Sequence, residues 1–264
     1  EVTGTVLAET IRQTLRDKLT GEAGPYNAVF VQNGIACTTA SIITATLGIT
    51  DLEDISAADT RRIMDAHLLL CMYNAWQPGV FALSGWDLVG ALPLDRSQVR
   101  GLIKDGDTRW IERGAYDLMD AAPDAAKSAS GMPRAQALYG SLPQQLGDPG
   151  SFARRLARVL EVRKRNDLAT GALVDVPDVA SRSLLVLVNR LLDDSTQVTV
   201  LNFAEEALTA RVQSEHIPPA GRVVDLATLT PVGVVDDLGG FTVDLPPFGG
   251  LVLGVREPDP DTEE

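Results

Sequence analysis

Residues 78–90 read Pro78-Gly79-Val80-Phe81-Ala82-Leu83-Ser84-Gly85-Trp86-Asp87-Leu88-Val89-Gly90. The apolar residues 80–83 predict a short strand, which is followed by a polar turn bounded by glycines. Residues 67–76 predict a helix before this strand, and residues 151–165 predict another helix after a long polar excursion. The order helix, strand, long loop, helix is typical of the last unit of a (β/α)8 barrel, in which the active-site loops follow the strands.

The residues before this stretch predict three helices and one strand. Apolar spacing and breaker residues place the helices at 6–19, 36–47 and 56–73, and the strand at 28–31. Ser56 is a good N-cap for the third helix, with Asp59 three residues later. Asn33-Gly34 predicts a turn. Asn33 either has a role only in that turn or lines the mouth of the barrel together with residues 84–90.

Residues 90–150 lack a sustained pattern, and only 98–103 and 115–119 predict single helical turns. A loop of this length inside a compact domain is usually functional, although a surface insertion without a role is the alternative. The helix at 151–165 has an apolar stripe and a basic face. We interpret that face as a solvated surface rather than an anion site, because cations near a helix C-terminus complement its dipole.

The chain beyond residue 169 changes to short strands separated by Gly, Pro and Asp. Strands are predicted at 184–188, 197–203, 210–214, 223–226, 241–245 and 251–255. Phe241, Val243 and Leu245 alternate with polar residues, as a sheet with one buried face requires. This pattern predicts a small all-β domain, and the acidic residues 257–264 predict a disordered tail.

The composition excludes some functions. The chain has 264 residues, of which 45% are hydrophobic, and a net charge of −13. This acidity argues against nucleic acid or an anionic membrane as the main partner, because phosphate binding needs a basic surface. The sequence contains no long apolar run and no export signal, and it lacks an initiator Met, so we expect the true start to lie elsewhere.

The few cysteines and histidines indicate neither a disulfide bond nor a histidine metal site. Cys37 and Cys71 are predicted to be buried free thiols, which fits a cytoplasmic location. His67 and His216 are too far apart to suggest a histidine metal site, and His67 is expected at a packing edge of its helix. We expect no cofactor.

Four long segments resemble a known family. They are Asn33-Gly34-Ile35-Ala36-Cys37-Thr38-Thr39-Ala40-Ser41, Asn74-Ala75-Trp76-Gln77-Pro78-Gly79-Val80-Phe81, Asp105-Gly106-Asp107-Thr108-Arg109-Trp110 and Leu138-Tyr139-Gly140-Ser141-Leu142-Pro143. They resemble bacterial trehalose synthases, the maltose α-D-glucosyltransferases of the α-amylase superfamily. The resemblance implies an α/β plus all-β protein: the C-terminal part of a (β/α)8 TIM barrel at 1–168, a small antiparallel β-sandwich at 169–256 and the tail at 257–264.

The resemblance also implies a reaction. Family members cleave maltose to a covalent glucosyl enzyme and rejoin the released glucose to give trehalose, using an Asp nucleophile, a Glu acid/base and a second Asp within a His-Asp motif. Such chemistry needs two carboxyl groups that flank the bond. No His-Asp pair occurs in this sequence. We therefore assign no catalytic residue, and interpret the chain as the C-terminal portion of a longer enzyme.

Five residues are predicted to contact the sugar. Trp86 and Trp110 offer flat faces for stacking, while Asp87, Asp107 and Arg109 offer charged hydrogen bonds to hydroxyl groups. Each has an alternative: Asp107 and Arg109 pair with each other, and Trp86 closes the end of the barrel core. Carboxylates such as those at 105 and 107 suit a hard cation, but isolated acidic pairs rarely bind one, so no metal site is assigned.

Three functions remain open. The chain is part of a glucosyl-transfer enzyme of this superfamily, inactive alone, or a carbohydrate-binding module formed by the β domain, or a half that assembles with another chain. The expected partners are maltose, trehalose and glucose, the missing N-terminal part of the same barrel, and a second copy. The module needs exposed aromatic residues, and Phe203, Phe241 and Phe248 fall at predicted core or turn positions.

Overall fold

A computed structural model describes residues 4–31 and 34–256. Their contacts divide the chain into two compact units. The first takes in the residues up to His67 together with Leu83–Arg154, and the second takes in Leu68–Ala82 together with the residues from Arg155 onward. The division predicted at residue 168 stays a prediction. Asn33 and the predicted tail at 257–264 lie outside the described residues.

The first unit combines helices with one small hairpin. Its elements are α1 (Gly4–Leu19), β1 (Ala28–Phe30), β2 (Gly34–Ala36), α2 (Thr39–Thr46), the first part of α3 (Ala57–Ala75), α4 (Leu142–Leu146) and the start of α5 (Phe152–Arg165). β1 and β2 pair antiparallel. The helices predicted at 6–19 and 151–165 are confirmed, and those predicted at 56–73 and 67–76 form one helix, α3.

Capping residues determine where two of these helices begin. The Ser56 N–H donates to Asp59 Oδ2 at 3.3 Å and the Asp59 N–H donates to Ser56 Oγ at 3.1 Å, which confirms the predicted cap of α3. α2 begins at residue 39 and not at 36 as predicted, because residue 36 belongs to β2. Thr38 and Ser41 then form a second reciprocal cap.

The strand predicted at residues 80–83 is wrong. These residues adopt no regular secondary structure, and the Val80 side chain is 96% exposed. A short apolar segment becomes a strand only where a neighbouring strand pairs with its N–H and C=O groups. Within residues 4–31 and 34–256 no strand pairs with this segment.

The long region after residue 90 is irregular, as predicted. Its regular pieces are a short 3₁₀ turn at Thr108–Glu112 and α4, and another 3₁₀ turn, Asp87–Val89, lies just before it. Residues 98–103 form hydrogen-bonded turns without a helix, and the helical turn predicted at 115–119 is wrong. The Ala115 N–H donates to Pro133 and its carbonyl accepts from Ala135, so neither group is available for a local helix.

The second unit contains two antiparallel sheets. A six-stranded sheet has the order β3-β4-β5-β10-β7-β8, and β6 pairs with β9 in a second sheet. The strands are β3 (Ala172–Asp175), β4 (Leu184–Arg190), β5 (Thr196–Asn202), β6 (Leu208–Gln213), β7 (Arg222–Asp225), β8 (Pro231–Val234), β9 (Gly240–Leu245) and β10 (Gly250–Arg256). All six predicted strands are confirmed. β3 and β8 were not predicted, because they are short edge strands, and β8 contains Pro231 and Gly233.

Both sheets contribute to one hydrophobic core. Phe241, Val243 and Leu245 are buried while the residues between them are exposed, which confirms the predicted alternation. These side chains share a cluster with residues of the larger sheet, including Val186 and Val198. β5 is buried at all 7 positions, so both faces of this central strand are covered.

Arg163 holds the end of α3 within the second unit. Its side chain lies on α5, is 9% exposed, and donates hydrogen bonds to the carbonyls of Ala75 at 2.5 Å, of Gln77 at 2.6 Å and of Gly79. The carbonyls at a helix C-terminus have no partner within the helix. One buried guanidinium therefore supplies donors to the last residue of α3 and to the segment that leaves it.

Cys37 and Cys71 form no disulfide bond, as predicted. Cys71 is buried, whereas Cys37 is only half-buried, and burial still raises the pKa of the Cys37 thiol to about 12. The expectation that His67 lies at a packing edge is wrong, because its side chain is 1% exposed. A histidine this deeply buried needs polar partners.

Candidate functional site

The turn at residues 84–90 is held closed by its own aspartate. The Ser84 N–H donates to Asp87 Oδ2 at 3.1 Å, and the Asp87 N–H donates to the Ser84 carbonyl at 3.0 Å. The 3₁₀ turn that follows ends at Gly90, whose φ of 61° is left-handed. Asp87 therefore shapes the backbone of the turn that carries both it and Trp86.

Two tyrosines pack on the glycines of this turn. A Cβ added at Gly85 would lie 2.5 Å from Tyr116 Oη, and one added at Gly90 would lie 2.7 Å from the Tyr139 ring. Real Cβ atoms do not approach other atoms so closely, so a side chain at either position would have to displace the tyrosine that packs on it. The turn is thus confined between the two aromatic rings of the first unit.

The Asp87 carboxylate is buried. The residue is 7% exposed, and burial raises the pKa of its carboxyl group, while hydrogen bonds from Thr39 and from the Ser84 N–H act in the opposite direction. His67 Nε2 lies 3.8 Å from Asp87 Oδ1. That distance is longer than a hydrogen bond.

The imidazole of His67 is fixed on its other sides. Its Nδ1 lies 3.0 Å from Tyr139 Oη, and its ring centroid lies 4.6 Å from that of Phe152. The Tyr139 and Phe152 rings stack with centroids 4.9 Å apart. Burial lowers the pKa of His67 to about 4, so the ring is neutral at pH 7. We call His67, Asp87, Tyr139 and Phe152 the His67 cluster.

Asp107 and Arg109 pair with each other, as their alternative interpretation predicted. Arg109 Nε lies 2.8 Å from Asp107 Oδ1 and Arg109 Nη2 lies 2.8 Å from Oδ2, a bidentate arrangement. The guanidinium also lies over the Phe30 ring, 4.3 Å from its centroid. The pair lowers the pKa of Asp107 to about 2 and raises that of Arg109.

The 3₁₀ turn that follows Asp107 is attached to the hairpin. Thr108 Oγ1 donates to the Val29 carbonyl at 2.9 Å, and Glu112 Oε2 accepts from the Cys37 N–H at 3.0 Å. These contacts join the turn to β1 and to the residue after β2. The sequence indicated neither contact, since each links residues more than 70 positions apart.

The two predicted tryptophans pack against one hydrophobic cluster. Trp86 and Trp110 are half-buried, and both lie on a core that includes Val89 and Ile111. The guanidinium of Arg113 lies 5.1 Å from the centroid of the Trp110 ring. The structure thus brings Trp86 and Trp110 to the same core. The contacts of Asp87 are with Ser84, Thr39 and His67, whereas Arg109 contacts Asp107 and Phe30, so these charged residues form two separate groups.

The described part of the chain holds no group of three or more metal-binding side chains. Asp105 Oδ1 accepts from the Asp107 N–H at 3.2 Å, so its carboxylate serves a local turn. Across the same residues, no helix has the length and apolar character needed to cross a membrane.

No protein-family model and no curated protein matches this chain. Solved structures do match. The α-amylase of Geobacillus thermoleovorans has a TM-score of 0.51 at 12% identity, over 83% of this chain and 37% of its own. The trehalulose synthase of Pseudomonas mesoacidophila has a TM-score of 0.54 at 16% identity, over 73% of this chain and 38% of its own. The isomaltulose synthase of Erwinia rhapontici has a TM-score of 0.51 at 13% identity, over 81% of this chain and 41% of its own.

The chain therefore spans between 37% and 41% of the length of these solved enzymes. At these identities the likeness shows the fold alone. The fold, which mixes helices with antiparallel sheets, is similar to part of each of these three enzymes.

Proposed function

We propose that this chain is the C-terminal part of an α-amylase-type enzyme that interconverts maltose and trehalose by glucosyl transfer. The observation that carries the proposal is the fold, which is shared over 73% to 88% of the chain with enzymes of this type. Three of those structures were determined with acarbose, maltose and D-glucose. On this proposal the helices and hairpin of the first unit belong to the barrel, and the two sheets form the C-terminal sandwich.

The reaction would proceed with retention through a covalent glucosyl enzyme. One carboxylate attacks the anomeric carbon and displaces glucose, and a second carboxylic acid donates a proton to the leaving oxygen. We assign neither role to a residue of this chain. Water has to be excluded while the glucose turns, because water would otherwise hydrolyse the intermediate. On this proposal the turns at 84–90 and 107–113 help to close the mouth of the barrel against water.

The predicted sugar contacts take specific roles in this proposal. Trp86 and Trp110 keep part of their rings exposed on one core, which suits stacking on a sugar face. Arg109 uses Nε and Nη2 for Asp107, and its side chain remains 42% exposed, so we assign Nη1 to a sugar hydroxyl. Asp107 holds that guanidinium in place. Asp87, which is buried, would act mainly by fixing the turn that carries Trp86.

Kinetics of matched variants test these roles in the product of the complete coding sequence. We expect Arg109→Gln to reduce kcat/KM for maltose by about tenfold or more, because a charge-assisted hydrogen bond to substrate is lost. Arg61→Gln, an exposed residue of α3, is the control and should change kcat/KM less than twofold. Equal values for the two variants would remove Arg109 from the proposed site.

One observation favours a second function, assembly with a partner. The side chains of Val6, Leu7, Ile11 and Leu15 are between 50% and 53% exposed along α1, although their spacing is that of a buried stripe. Such a face is usually covered by another surface. Expressed alone, the chain should associate or aggregate in light scattering, and Ile11→Gln should reduce this more than Arg12→Gln. A stable monomer would contradict this second function.

The carbohydrate-binding module has less support. Phe241 is 4% exposed within the core of the second unit, and only Phe203, at 39%, shows a large exposed ring surface on that unit's described strands and loops. A single aromatic side chain offers no row of stacking platforms for a sugar chain.

A further inference from the structure

The His67 cluster contains two buried polar atoms that lack a hydrogen bond. They are His67 Nε2 and Asp87 Oδ1, which face each other at 3.8 Å within the first unit. A buried polar atom without a partner loses its hydrogen bonds to water without replacing them, which is unfavourable. Two such atoms opposite each other therefore mark a site where a small movement would form a bond.

The contact with Tyr139 is compatible with either neutral tautomer of His67, and Asp87 distinguishes between the two. If the Tyr139 hydroxyl donates to Nδ1, the neutral ring carries its proton on Nε2, and this donor faces a carboxylate acceptor. The other tautomer would place two lone pairs opposite each other in a buried space. The first arrangement is favoured because it places an N–H donor opposite a carboxylate acceptor.

The same tyrosine contacts the far end of the turn. The Tyr139 ring lies against Gly90, and the Tyr139 N–H donates to the Val89 carbonyl at 3.0 Å. Its hydroxyl meanwhile holds His67. The imidazole is also packed on Phe152, so the ring has little freedom to turn away from Asp87.

We propose that His67 is the positioning residue of the turn at 84–90. Its Nε2–H directs the Asp87 carboxylate, and shortening their separation from 3.8 Å to a hydrogen bond fixes the backbone that carries Trp86. The required shift is about 1 Å. The titratable groups that face the imidazole are Asp87 on the turn and the Tyr139 phenol, while Phe152 contributes an uncharged contact. The consequence for sugar binding rests on the proposed function.

Nitrogen NMR of the chain tests the tautomer directly. With 15N-labelled histidine, we expect His67 at pH 7 to be neutral and protonated at Nε2, with Nδ1 accepting a hydrogen bond. His216 is half-exposed and serves as the internal reference. A ring protonated at Nδ1 would overturn the proposal, and this result needs no mutant.

Two variants then separate positioning from packing. His67→Gln retains an amide donor toward Asp87, whereas His67→Phe retains a ring on Phe152 and removes the donor. We expect the pKa of Asp87, followed by its carboxyl 13C shift, to rise by about one unit or more in His67→Phe and to stay near the wild-type value in His67→Gln. An unchanged pKa in His67→Phe would refute the positioning role.

A titration with maltose distinguishes this proposal from the proposed function. We expect maltose to bind the wild type and His67→Gln with similar affinity and His67→Phe about tenfold more weakly. Equal affinity of all three proteins would overturn the positioning role at the sugar site. If maltose fails to bind the wild type, the proposed function loses its support, and the tautomer and the pKa of Asp87 still decide the role of His67.

Discussion

Replacement of Arg163 by Met should be among the most destabilising single changes at a polar residue of this chain. The guanidinium is 9% exposed and donates to the carbonyls of Ala75, Gln77 and Gly79. Met retains helix propensity and much of the aliphatic stem. The substitution therefore removes the donors while leaving the packing of α5 largely intact.

The size of the effect follows from these three bonds. A hydrogen bond to a charged group contributes about 1.5–3 kcal/mol, and burial of the guanidinium, which lowers the pKa of Arg163, offsets part of the sum. The carbonyl of Ala75, a buried residue, would also be left without this donor. We expect a net loss of about 3 kcal/mol in the free energy of unfolding.

Urea unfolding measures this loss. Trp76, which is 3% exposed next to the affected segment, provides the fluorescence signal, and circular dichroism provides a second probe. Arg158→Met, on the exposed face of the same helix, is the matched control and should change stability by less than about 0.5 kcal/mol. A loss in Arg163→Met equal to that of the control would refute the assigned hydrogen bonds.

Two further predictions concern the first unit. The folded pKa of His67 lies near 4, below its ordinary 6.5, so the unfolded chain binds the extra proton between these values, and stability should fall by about 3 kcal/mol as the pH drops from 6.5 to 4. The raised pKa of Asp87 acts in the opposite direction near the acid end, and the lowered pKa of Asp107 adds a decrease common to both proteins. Urea titrations should therefore show a larger decrease in the wild type than in His67→Phe. Gly90→Ala should cost about 2–4 kcal/mol, because it adds a clash with Tyr139 to backbone strain. Gly106 also has a positive φ but lies in open space, so Gly106→Ala measures the backbone strain alone and should cost about 1 kcal/mol. Equal losses of stability for Gly90→Ala and Gly106→Ala in thermal melts would contradict the packing of Tyr139 on Gly90.

Local signals in the sequence predicted much of the secondary structure. Ser56 and Asp59 formed the expected cap, and the alternation from Phe241 to Leu245 gave the correct buried face. Both depend on neighbours within a few residues. The strand at 80–83 failed because a strand also depends on a paired neighbour, which an apolar run does not reveal.

In the candidate site, too, contacts between residues close in sequence could be predicted, and long-range contacts could not. The pairing of Asp107 with Arg109 was foreseen as an alternative, because the two residues lie close in sequence. The contact of His67 with Asp87 was not foreseen, since it depends on the direction of α3 and on the fold of the turn. The partners of Tyr139 depend on the same long-range packing.

The most direct measurement is an assay of the product of the complete coding sequence on maltose, with trehalose and glucose quantified separately. We expect trehalose to be the main product, with a minor release of glucose. Glucose without trehalose would assign the chain to a hydrolase of the same superfamily. No consumption of maltose, in a protein that is folded by circular dichroism, would contradict the proposed function.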